Sequence, residues 1–489
     1  TLARKLPVFS ADEFRREVAA IPGNELIDGG GSTDWQDELT RTAITQNHNL
    51  VLSGGTKNLN YYASLGLQDQ EGIVYNSGFK RTSARINVTQ KLLDNRLNID
   101  FNLNTTITEQ SRNNNVGYST NPTFDAYTSD GEINNPLNWN NPLLSNKYSG
   151  NFSESRRILL NIAPSFEIIN GLVYKMNVGH ENRSNDGDVQ TIANSDRNDL
   201  GNLTQSFGNF ENNLIENYLT YTFDIEDHNI SILGGHSYQK TSSRNRSWSI
   251  DDFPADTGIE PRNNPGLGGE LTISDNNRPS GSAWENELQS FFGRANWSYK
   301  DKYLLTATVR ADGSSKFGGN NKYGIFPSLA GSWRLIEEDF MPSSTIFSDL
   351  KLRAGWGQTG NQEIPNKITQ ESFTVSNSNN VSYPIDQNGP YPVGSVYTRF
   401  ANPDIQWEVS TQSNIGVDFG FFDGKLSGTI DYFHKVSDNI LLEVVPVDPI
   451  SPAPTFWTNV PDMTIVNKGI EIALDYSKRN SEGLSYGFG

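Results

Sequence analysis

Residues 303–362 read YLLTATVRADGSSKFGGNNKYGIFPSLAGSWRLIEEDFMPSSTIFSDLKLRAGWGQTGNQ and contain three alternating segments with the turns between them. In the first segment every second residue is apolar: Tyr303, Leu305, Ala307 and Val309. The residues between them are Thr306, Thr308 and Arg310, and Leu304 is the one apolar exception. Because successive side chains of a strand point to opposite faces, this segment predicts a strand with one apolar and one polar face.

The same alternation returns along most of the chain. It is present in residues 350–357 and in residues 61–67, 84–88, 97–103, 172–178, 219–225, 415–421, 426–432 and 470–476. Asn, Asp, Thr and Arg dominate the polar positions, and Gly, Asn and Asp separate the segments. Roughly sixteen such segments can be counted. The sequence therefore predicts an all-β fold.

Composition limits the ways in which this chain could cross a membrane. Only 35% of the residues are hydrophobic, and the mean hydropathy is -0.57. No run approaches the roughly 20 apolar residues that a membrane-spanning helix needs. A spanning β-strand needs only about 9–11 residues, of which every second one is apolar. If this is a membrane protein, the composition predicts a β-barrel.

The predicted connections alternate between short and long. Short turns are expected at residues 91–96, 169–171, 225–228, 300–302 and 422–425, with a longer member at 337–349. Long loops are expected at residues 111–155, 186–212, 246–287, 313–321, 359–405 and 441–465. This asymmetry is typical of outer-membrane barrels and not of soluble sandwiches. Trp297, Tyr299 and Tyr303 near strand ends fit either an interfacial aromatic girdle or ordinary core positions.

The N-terminal part differs from the rest because its pattern predicts helices. Ser10 and Glu13 form a capping box, and Phe9 and Phe14 occupy the positions of a hydrophobic staple. Pro22 and Gly23 are expected to end this helix, and a second short helix is expected to begin at Thr33 with Gln36 reaching back. We therefore predict a junction segment at residues 1–41 and part of a barrel at residues 42–489.

Charge and residue types exclude several functions. The formal net charge of -18 opposes nucleic-acid binding. The absence of cysteine excludes disulfides, Fe–S clusters and cysteine zinc sites. The five histidines form no HExxH motif, and residues 181–190 (ENRSNDGDVQ) lack the first and last acids of a calcium loop, so we expect a solvated turn there. We predict no metal site and no cofactor.

No catalytic residue is predicted. The Asp312–Ser315 stretch, DGSS, lacks a GxSxG context and is expected to be the turn from a strand into a loop. A glycosidase-like carboxylate pair cannot be located, because the spacing that defines one is spatial. The candidate binding residues are the loop aromatics Tyr127, Trp139 and Tyr148, which lie among asparagines and suit sugar rings or peptide side chains. Packing within the loop is the alternative role for these three rings.

Several long segments resemble one family in the same order along the chain. They are residues 32–73 (STDWQDELTRTAITQNHNLVLSGGTKNLNYYASLGLQDQEGI), 78–92, 310–335, 350–362, 402–441 and 467–476 (NKGIEIALDY). These segments are similar to the SusC/RagA family of TonB-dependent outer-membrane transporters of Bacteroidetes. The long loops between them do not match.

The resemblance implies a transmembrane antiparallel barrel of about 22 strands closed by an N-terminal plug domain. It also implies import of glycans or peptides that are captured with a SusD-like surface lipoprotein, driven by TonB, with dimers of the transporter–lipoprotein pair as a further arrangement. No segment matches the plug, the TonB-contacting segment or the last strands, so we expect an incomplete barrel.

Three functions follow from the sequence. The first is TonB-dependent active import of a polar oligomer across the outer membrane, with outer-membrane lipid around the barrel. The second is a passive outer-membrane porin, whose lumen needs no plug. The third is a secreted β-rich enzyme that acts on glycans.

Overall fold

The structure, a computed structural model, describes most of the chain. The described residues are 8–22, 27–113, 120–135, 139–194, 200–254, 260–269, 279–341, 346–376, 394–447, 453, 455–478 and 485–489. None of the helices in these ranges is long and apolar enough to cross a membrane.

Twenty strands account for most of the described residues. The first ten are β1 (Thr45–Gly55), β2 (Leu59–Glu71), β3 (Gly78–Leu92), β4 (Leu97–Arg112), β5 (Ser149–Ile169), β6 (Leu172–Thr191), β7 (Gly201–Ile225), β8 (His228–Phe253), β9 (Ser280–Tyr299) and β10 (Tyr303–Ser314). The others are β11 (Tyr323–Arg334), β12 (Phe347–Asn361), β13 (Ser372–Ser376), β14 (Gly394–Arg399), β15 (Glu408–Phe421), β16 (Leu426–Asp438), β17 (Leu441–Val444), β18 (Phe456–Asn459), β19 (Ile465–Lys478) and β20 (Tyr486–Phe488). The all-β prediction is confirmed.

Sixteen of these strands form one antiparallel sheet in sequence order. The strands β13 with β14, and β17 with β18, form two separate small hairpins. Each strand of the large sheet pairs with the next one, so that Leu305 of β10 lies opposite Trp297 of β9 and Gly331 of β11. Within the described residues β1 and β20 are the edges, and no pairing joins them into a closed barrel.

Short connections lie along one end of the sheet, which we call the short-turn rim. They comprise residues 56–58, 93–96, 170–171, 226–227, 300–302, 335–346 and 422–425. Left-handed backbone angles close two of these turns in the same way, over Leu93–Asn95 and over Phe422–Gly424. The predicted positions of the short turns are confirmed, including that of the longer turn predicted at 337–349. Residues 342–345 of this turn lie outside the described part.

Glu338 fixes the longest turn of this rim to the sheet. Its carboxylate accepts hydrogen bonds from the Tyr303 hydroxyl at 2.5 Å and from Trp333 Nε1 at 2.9 Å. Lys302 Nζ lies 3.6 Å from its other oxygen. These hydrogen bonds, with the Tyr303 bond the largest cause, hold the pKa of Glu338 below its ordinary value of 4.5. The turn is therefore tied to both strands of the preceding hairpin.

We expect the Glu338→Gln variant to unfold at a lower temperature than the wild type at neutral pH, because the amide gives weaker hydrogen bonds than the carboxylate. The pKa of Glu338 is lowered in the folded state, so its stabilisation is present above the ordinary carboxyl pKa and is lost as pH falls through the folded pKa. The difference between variant and wild type should vanish at low pH. Unfolding temperatures measured by heat-modifiable gel mobility check this, and a difference that persists in acid would contradict it.

The other end of the sheet, the long-loop rim, carries residues 72–77, 113–148, 192–200, 254–279, 315–322, 362–407 and 439–464. The bounds predicted for the long loops at 186–212 and 246–287 were too wide, because β6, β7, β8 and β9 extend into both ranges and leave the connections 192–200 and 254–279. The turn predicted at 181–190 was also wrong, since those residues belong to β6. Polar residues occupy both faces of these strand ends, so no alternation marks them. Parts of every predicted long loop except 313–321 lie outside the described residues.

In the part of the chain that the structure describes, three α-helices precede or interrupt the strands: α1 (Ala11–Ala19), α2 (Trp35–Leu39) and α3 (Pro142–Tyr148). The capping box of α1 is confirmed, since Ser10 and Glu13 bond reciprocally. The predicted cap of α2 was wrong by one residue. Asp34 accepts from the backbone N–H groups of Gln36 and Asp37, while the Thr33 hydroxyl donates to the Phe124 carbonyl at 2.7 Å. Gly23 lies outside the described residues.

Candidate functional site: the polar sheet face and the long-loop rim

Cross-strand register sorts the side chains of the large sheet onto two chemically different faces. On the apolar face, Ile415 lies opposite Tyr432, which lies opposite Ile470, and these side chains are 65%, 46% and 67% exposed. The face continues through β10, where Leu305 and Val309 are also exposed. An exposed apolar surface of this extent needs a non-aqueous cover.

Aromatic rings end the apolar face at the short-turn rim. Tyr299 lies 6.5 Å from Trp297 and 6.3 Å from Tyr303, and Tyr303 lies 6.1 Å from Trp333, measured between ring centroids. None of these rings is buried. The arrangement matches the girdle that was one of the two roles predicted for Trp297, Tyr299 and Tyr303.

The polar face carries connected charges, of which the cluster around Arg353 is the most compact. The Arg353 Nε lies 2.9 Å from both carboxylate oxygens of Asp418, and its Nη2 lies 3.0 Å from Asp431 Oδ2. Lys351 Nζ is 3.5 Å from Asp418 Oδ2. Two cations thus balance two carboxylates.

Glycine makes room for this cluster. Arg353 lies opposite Gly416 of β15, and Gly416 lies opposite Asp431 of β16. A Cβ at Gly416 would lie 2.0 Å from Asp431 Oδ1 and 3.0 Å from Arg353 Nη2. The guanidinium therefore reaches across β15 to Asp431 only because this position has no side chain.

We expect Arg353→Met to destabilise the protein by about 1.5–3 kcal/mol, because it leaves two half-buried carboxylates beside each other without their hydrogen-bond donor. The matched control is Arg85→Met, since Arg85 lies on the same face and donates a longer hydrogen bond, 3.4 Å, to Asn87. Denaturant unfolding in lipid vesicles measures both. Equal losses for the two variants would show that the Arg353 contacts contribute no specific stability.

Other strands continue the polar face with uncharged and charged groups. Asn161 Nδ2 donates to Asn177 Oδ1, and Asn177 Nδ2 donates to Glu216 Oε2 at 2.8 Å. Glu181 lies between Arg157 and Arg183, at 2.8 and 3.2 Å. Such a surface offers both donors and acceptors to a polar solute, and no group of His, Asp or Glu arranged to hold a metal ion occurs in the described ranges.

A cleft of about 860 Å³ lies between the long-loop ends of β6, β7, β8 and β9. Charged residues of both signs line it: Asp186, Glu211, Arg244, Arg246, Glu285 and Lys367. Its lining mixes these charges with the rings of Phe207 and Trp284. A cleft of this composition can hold a polar ligand that also has apolar groups.

Residues 27–35 join the N-terminal helices to the loop that follows β4. The backbone N–H of Gly31 donates to the Thr123 carbonyl at 2.7 Å, and Trp35 Nε1 donates to the Asn121 carbonyl at 3.1 Å. A Cβ at Gly29 would lie 2.3 Å from the Phe124 ring. Glycine at residue 29 permits this close approach.

Asp28 anchors the same connection. The Arg15 guanidinium donates to both of its carboxylate oxygens, at 2.8 and 2.9 Å, and the Gly30 backbone N–H donates to Oδ1 at 2.9 Å. These bonds, with Arg15 the largest cause, lower the pKa of Asp28 to about 2. The joint therefore keeps its charge pair over the whole physiological pH range.

The three predicted binding aromatics lie in different surroundings on the long-loop rim. Trp139 stacks on Phe124 at 4.5 Å and meets the edge of Trp35 at 5.9 Å, next to the buried Leu39. Tyr148 ends α3, with Lys147 Nζ 5.3 Å from its ring centroid. Trp139 therefore packs within the loop cluster.

Tyr127 is the most accessible of the three. Its side chain is 43% exposed, and its hydroxyl donates to Glu38 Oε2 at 3.0 Å. Partial burial and this hydrogen bond raise the pKa of Tyr127. The ring is held in a fixed position by α2 and presents one side to solvent.

Sequence reasoning missed two features of this surface. One is the Arg353 cluster. The sequence feature that could have indicated it is the position of Arg353, Asp418 and Asp431 at polar positions of three alternating segments. The other is an apolar core on the long-loop rim, formed by Phe317, Phe326, Ile364, Ile368, Ile405, Trp407 and Leu441. These apolar residues belong to loops and strand ends without periodicity, so alternation could not reveal their packing.

Comparison with known proteins agrees with this architecture. TonB-dependent receptor P3 of Formosa agariphila is 31% identical over 96% of this chain and 47% of its own length. TonB-dependent receptor SusC of Bacteroides thetaiotaomicron is 29% identical over 91% of this chain and 46% of its own length. The chain spans about half the length of the curated relatives it matches.

A solved structure of the RagAB peptide transporter superposes on this chain with a TM-score of 0.77 and 25% identity, covering 92% of this chain and 50% of that one. Residues 100–489 match the family described as TonB dependent receptor-like, beta-barrel. This match extends over more than half of the chain and includes the Arg353 cluster and the apolar core of the long-loop rim. The chain therefore belongs to the TonB-dependent receptor-like β-barrel family.

Proposed function

We propose that this chain forms part of the barrel wall of an outer-membrane transporter that imports a polar oligomer, a glycan or a peptide, at the expense of TonB-coupled energy. The apolar face contacts lipid, and the polar face lines the lumen. The long-loop rim faces the cell exterior, and the short-turn rim faces the periplasm.

The observation that carries this proposal is the division of one sheet into two faces. Leu305, Ile415 and Ile470 expose large apolar side chains on one side, while Arg353, Asp418 and Asp431 form an ion cluster on the other. A soluble sheet that exposed the first face would aggregate, and a lipid-exposed second face would cost several kcal/mol. Lipid outside and water inside satisfy both faces.

The lumenal groups favour a polar cargo. Asparagine side chains and paired charges of both signs, such as Asn161, Asn177 and the Glu181 cluster, can exchange hydrogen bonds with hydroxyl or amide groups. We propose Tyr127, Trp139 and Tyr148 as cargo contacts on the long-loop rim, with Tyr127 favoured by its exposed ring. The similarity to the RagAB peptide transporter supports the peptide class.

We propose two partners for the complete protein. A SusD-like surface lipoprotein is expected over the long-loop rim, where it would deliver cargo to the lumen, and two such pairs are expected to form a dimer. TonB is expected to act from the periplasmic side. The similarity to SusC and to the RagAB structure supports these partners.

Uptake in cells with and without TonB tests the proposal. The cells express the complete protein together with the proposed SusD-like lipoprotein, and uptake of labelled oligosaccharides and oligopeptides is measured. Active import predicts uptake that disappears without TonB. Uptake that persists without TonB identifies a passive porin instead. Release of shortened products by the purified protein would identify the glycan-active enzyme.

A further inference from the structure

The short-turn rim exposes apolar side chains at positions where turns normally carry polar ones. Five of the seven turns given above have an apolar residue at the tip or at the adjoining strand end. The exposed side chains are Leu93 at 63%, Ile169 at 57%, Ile225 at 54%, Phe340 at 64%, Ile346 at 63% and Phe422 at 56%. Turns that face only water would not be expected to expose so many large apolar side chains.

Backbone conformation makes two of these residues more unusual. Leu93 and Phe422 have φ angles of 51° and 55°, in the left-handed region. That region favours Gly, Asn and Asp and costs other residues about 1–2 kcal/mol. Asp94 and Asp423 follow them in the same conformation, so the polar residues that suit these turns are present one position later.

At two turns the exposed apolar residues adjoin rings of the sheet. Phe422 lies 6.2 Å from Phe421 of β15, which lies 5.5 Å from Phe419 on that face. Phe340 lies 6.5 Å from Trp333, the last ring of the aromatic row. The surface that needs a non-aqueous cover therefore extends past the strand ends into the turns.

The turns that lack an apolar tip carry lysine. Lys57 lies in the first turn, and Lys300 and Lys302 lie in the turn between β9 and β10. Ammonium groups at the end of an apolar belt suit the phosphates of a lipid leaflet, because their alkyl stems can lie along the apolar surface. Lys300 and Lys302 also pair with Asp227 and Glu338, at 3.4 and 3.6 Å, so the apolar side chains carry the argument for lipid contact.

We propose that the short-turn rim is a phospholipid-binding surface, with the tips of the turns immersed at the level of the glycerol backbone and headgroups of the adjacent leaflet. This inference rests on the proposed membrane location of the sheet. It departs from the usual placement of such turns in water. Lys57 lies at the level of the lipid phosphates, and the side chains that enter the acyl boundary are Leu93, Ile169, Ile225, Phe340, Ile346 and Phe422.

Single spin labels test this placement. Residues 1–489 contain no cysteine, so a cysteine at one chosen position gives one labelled site in this part of the protein. The variants are Leu93→Cys and Phe422→Cys at the short-turn rim, Val309→Cys on the apolar face and Val447→Cys on the long-loop rim. Val447 is a fully exposed apolar residue, at 101%, and is the aqueous control.

The complete protein, with any cysteine outside these residues replaced by serine, is reconstituted into vesicles of phosphatidylethanolamine and phosphatidylglycerol. Heat-modifiable gel mobility shows that each variant is folded. Relaxation of the label by dioxygen, which concentrates in lipid, is compared with relaxation by a water-soluble nickel chelate. We expect a shift toward dioxygen at Leu93, Phe422 and Val309, and the opposite shift at Val447.

The controls separate the lipid contact of the turns from the membrane location of the sheet. Labels at Leu93 and Phe422 that respond to the nickel chelate as strongly as Val447 overturn the lipid contact, even when Val309 reports lipid. A periplasmic protein partner for these turns would give this result. A label at Val309 that reports water would overturn the membrane location itself, and with it the proposed function. Phe422 and Leu93 occupy separate turns, so a local distortion at one leaves the other as an independent measurement.

Discussion

Replacing Phe317 by alanine is expected to destabilise the long-loop rim locally by about 3–5 kcal/mol, the loss typical of a buried aromatic side chain. Phe317 is 2% exposed, and its ring centroid lies 4.8 Å from that of Trp407. Ile368 and Ile405, at 0% and 1% exposure, belong to the same core. The cavity would therefore open at the centre of an apolar core in which the ends of residues 362–407 pack against β11 and the loop that precedes it.

Hydrogen exchange measures this loss locally. Amide protection of the segment around Trp407, whose Nε1 donates to the Lys322 carbonyl at 3.0 Å, should fall in Phe317→Ala, while protection of the β2–β4 amides stays unchanged. Phe373→Ala is the matched control, because Phe373 lies on the same rim but is 47% exposed. Equal changes in the two variants would mean that the apolar core does not hold these loops in place.

The strands of this protein could be predicted from the sequence wherever the two faces of a strand differ. Tyr303–Ser314 alternates clearly because its faces meet different surroundings, and its boundaries were close to the predicted ones. Residues 181–190 are strand as well, but Asn, Asp and Arg occupy both faces there. Backbone pairing with β5 and β7 holds those residues in the sheet. Backbone pairing does not depend on side-chain type, so the sequence does not reveal it.

Only half of the Arg353 cluster could be derived from the sequence. The predicted turn at 422–425 fixes the register of β15 and β16, which places Gly416 opposite Asp431. The pairing of β12, which carries Arg353, with β15 cannot be derived. The long connection at residues 362–407 lies between these two strands and does not fix their register. The contact of Arg353 with Asp418 therefore needs the structure. The same applies to Trp139, whose packing against Phe124 and Trp35 depends on a loop path that no local rule sets.

Placing an arginine at Val309 is expected to destabilise the protein in a bilayer by ~2–4 kcal/mol, the cost of a lipid-facing cation near the midplane of an outer-membrane barrel. Val309 is 51% exposed on the apolar face. It lies six residues from Tyr303 of the aromatic row, which is about 20 Å along the strand at ~3.3 Å per residue. With the strands tilted by about 40°, this distance corresponds to roughly half of the apolar thickness.

Thr306→Arg is the matched control on the same strand, since Thr306 lies on the polar face beside an open cleft of about 320 Å³ that Asp431 also lines. An arginine there can extend into water and toward a carboxylate, so its cost should be small. Guanidinium-induced unfolding of both variants in phosphatidylcholine vesicles gives the two free energies. If lipid covers the apolar face, the free energy of unfolding should fall strongly in Val309→Arg and only slightly in Thr306→Arg. Equal stability of the two variants would mean that Val309 faces water, and the assignment of the two faces would then be reversed or wrong.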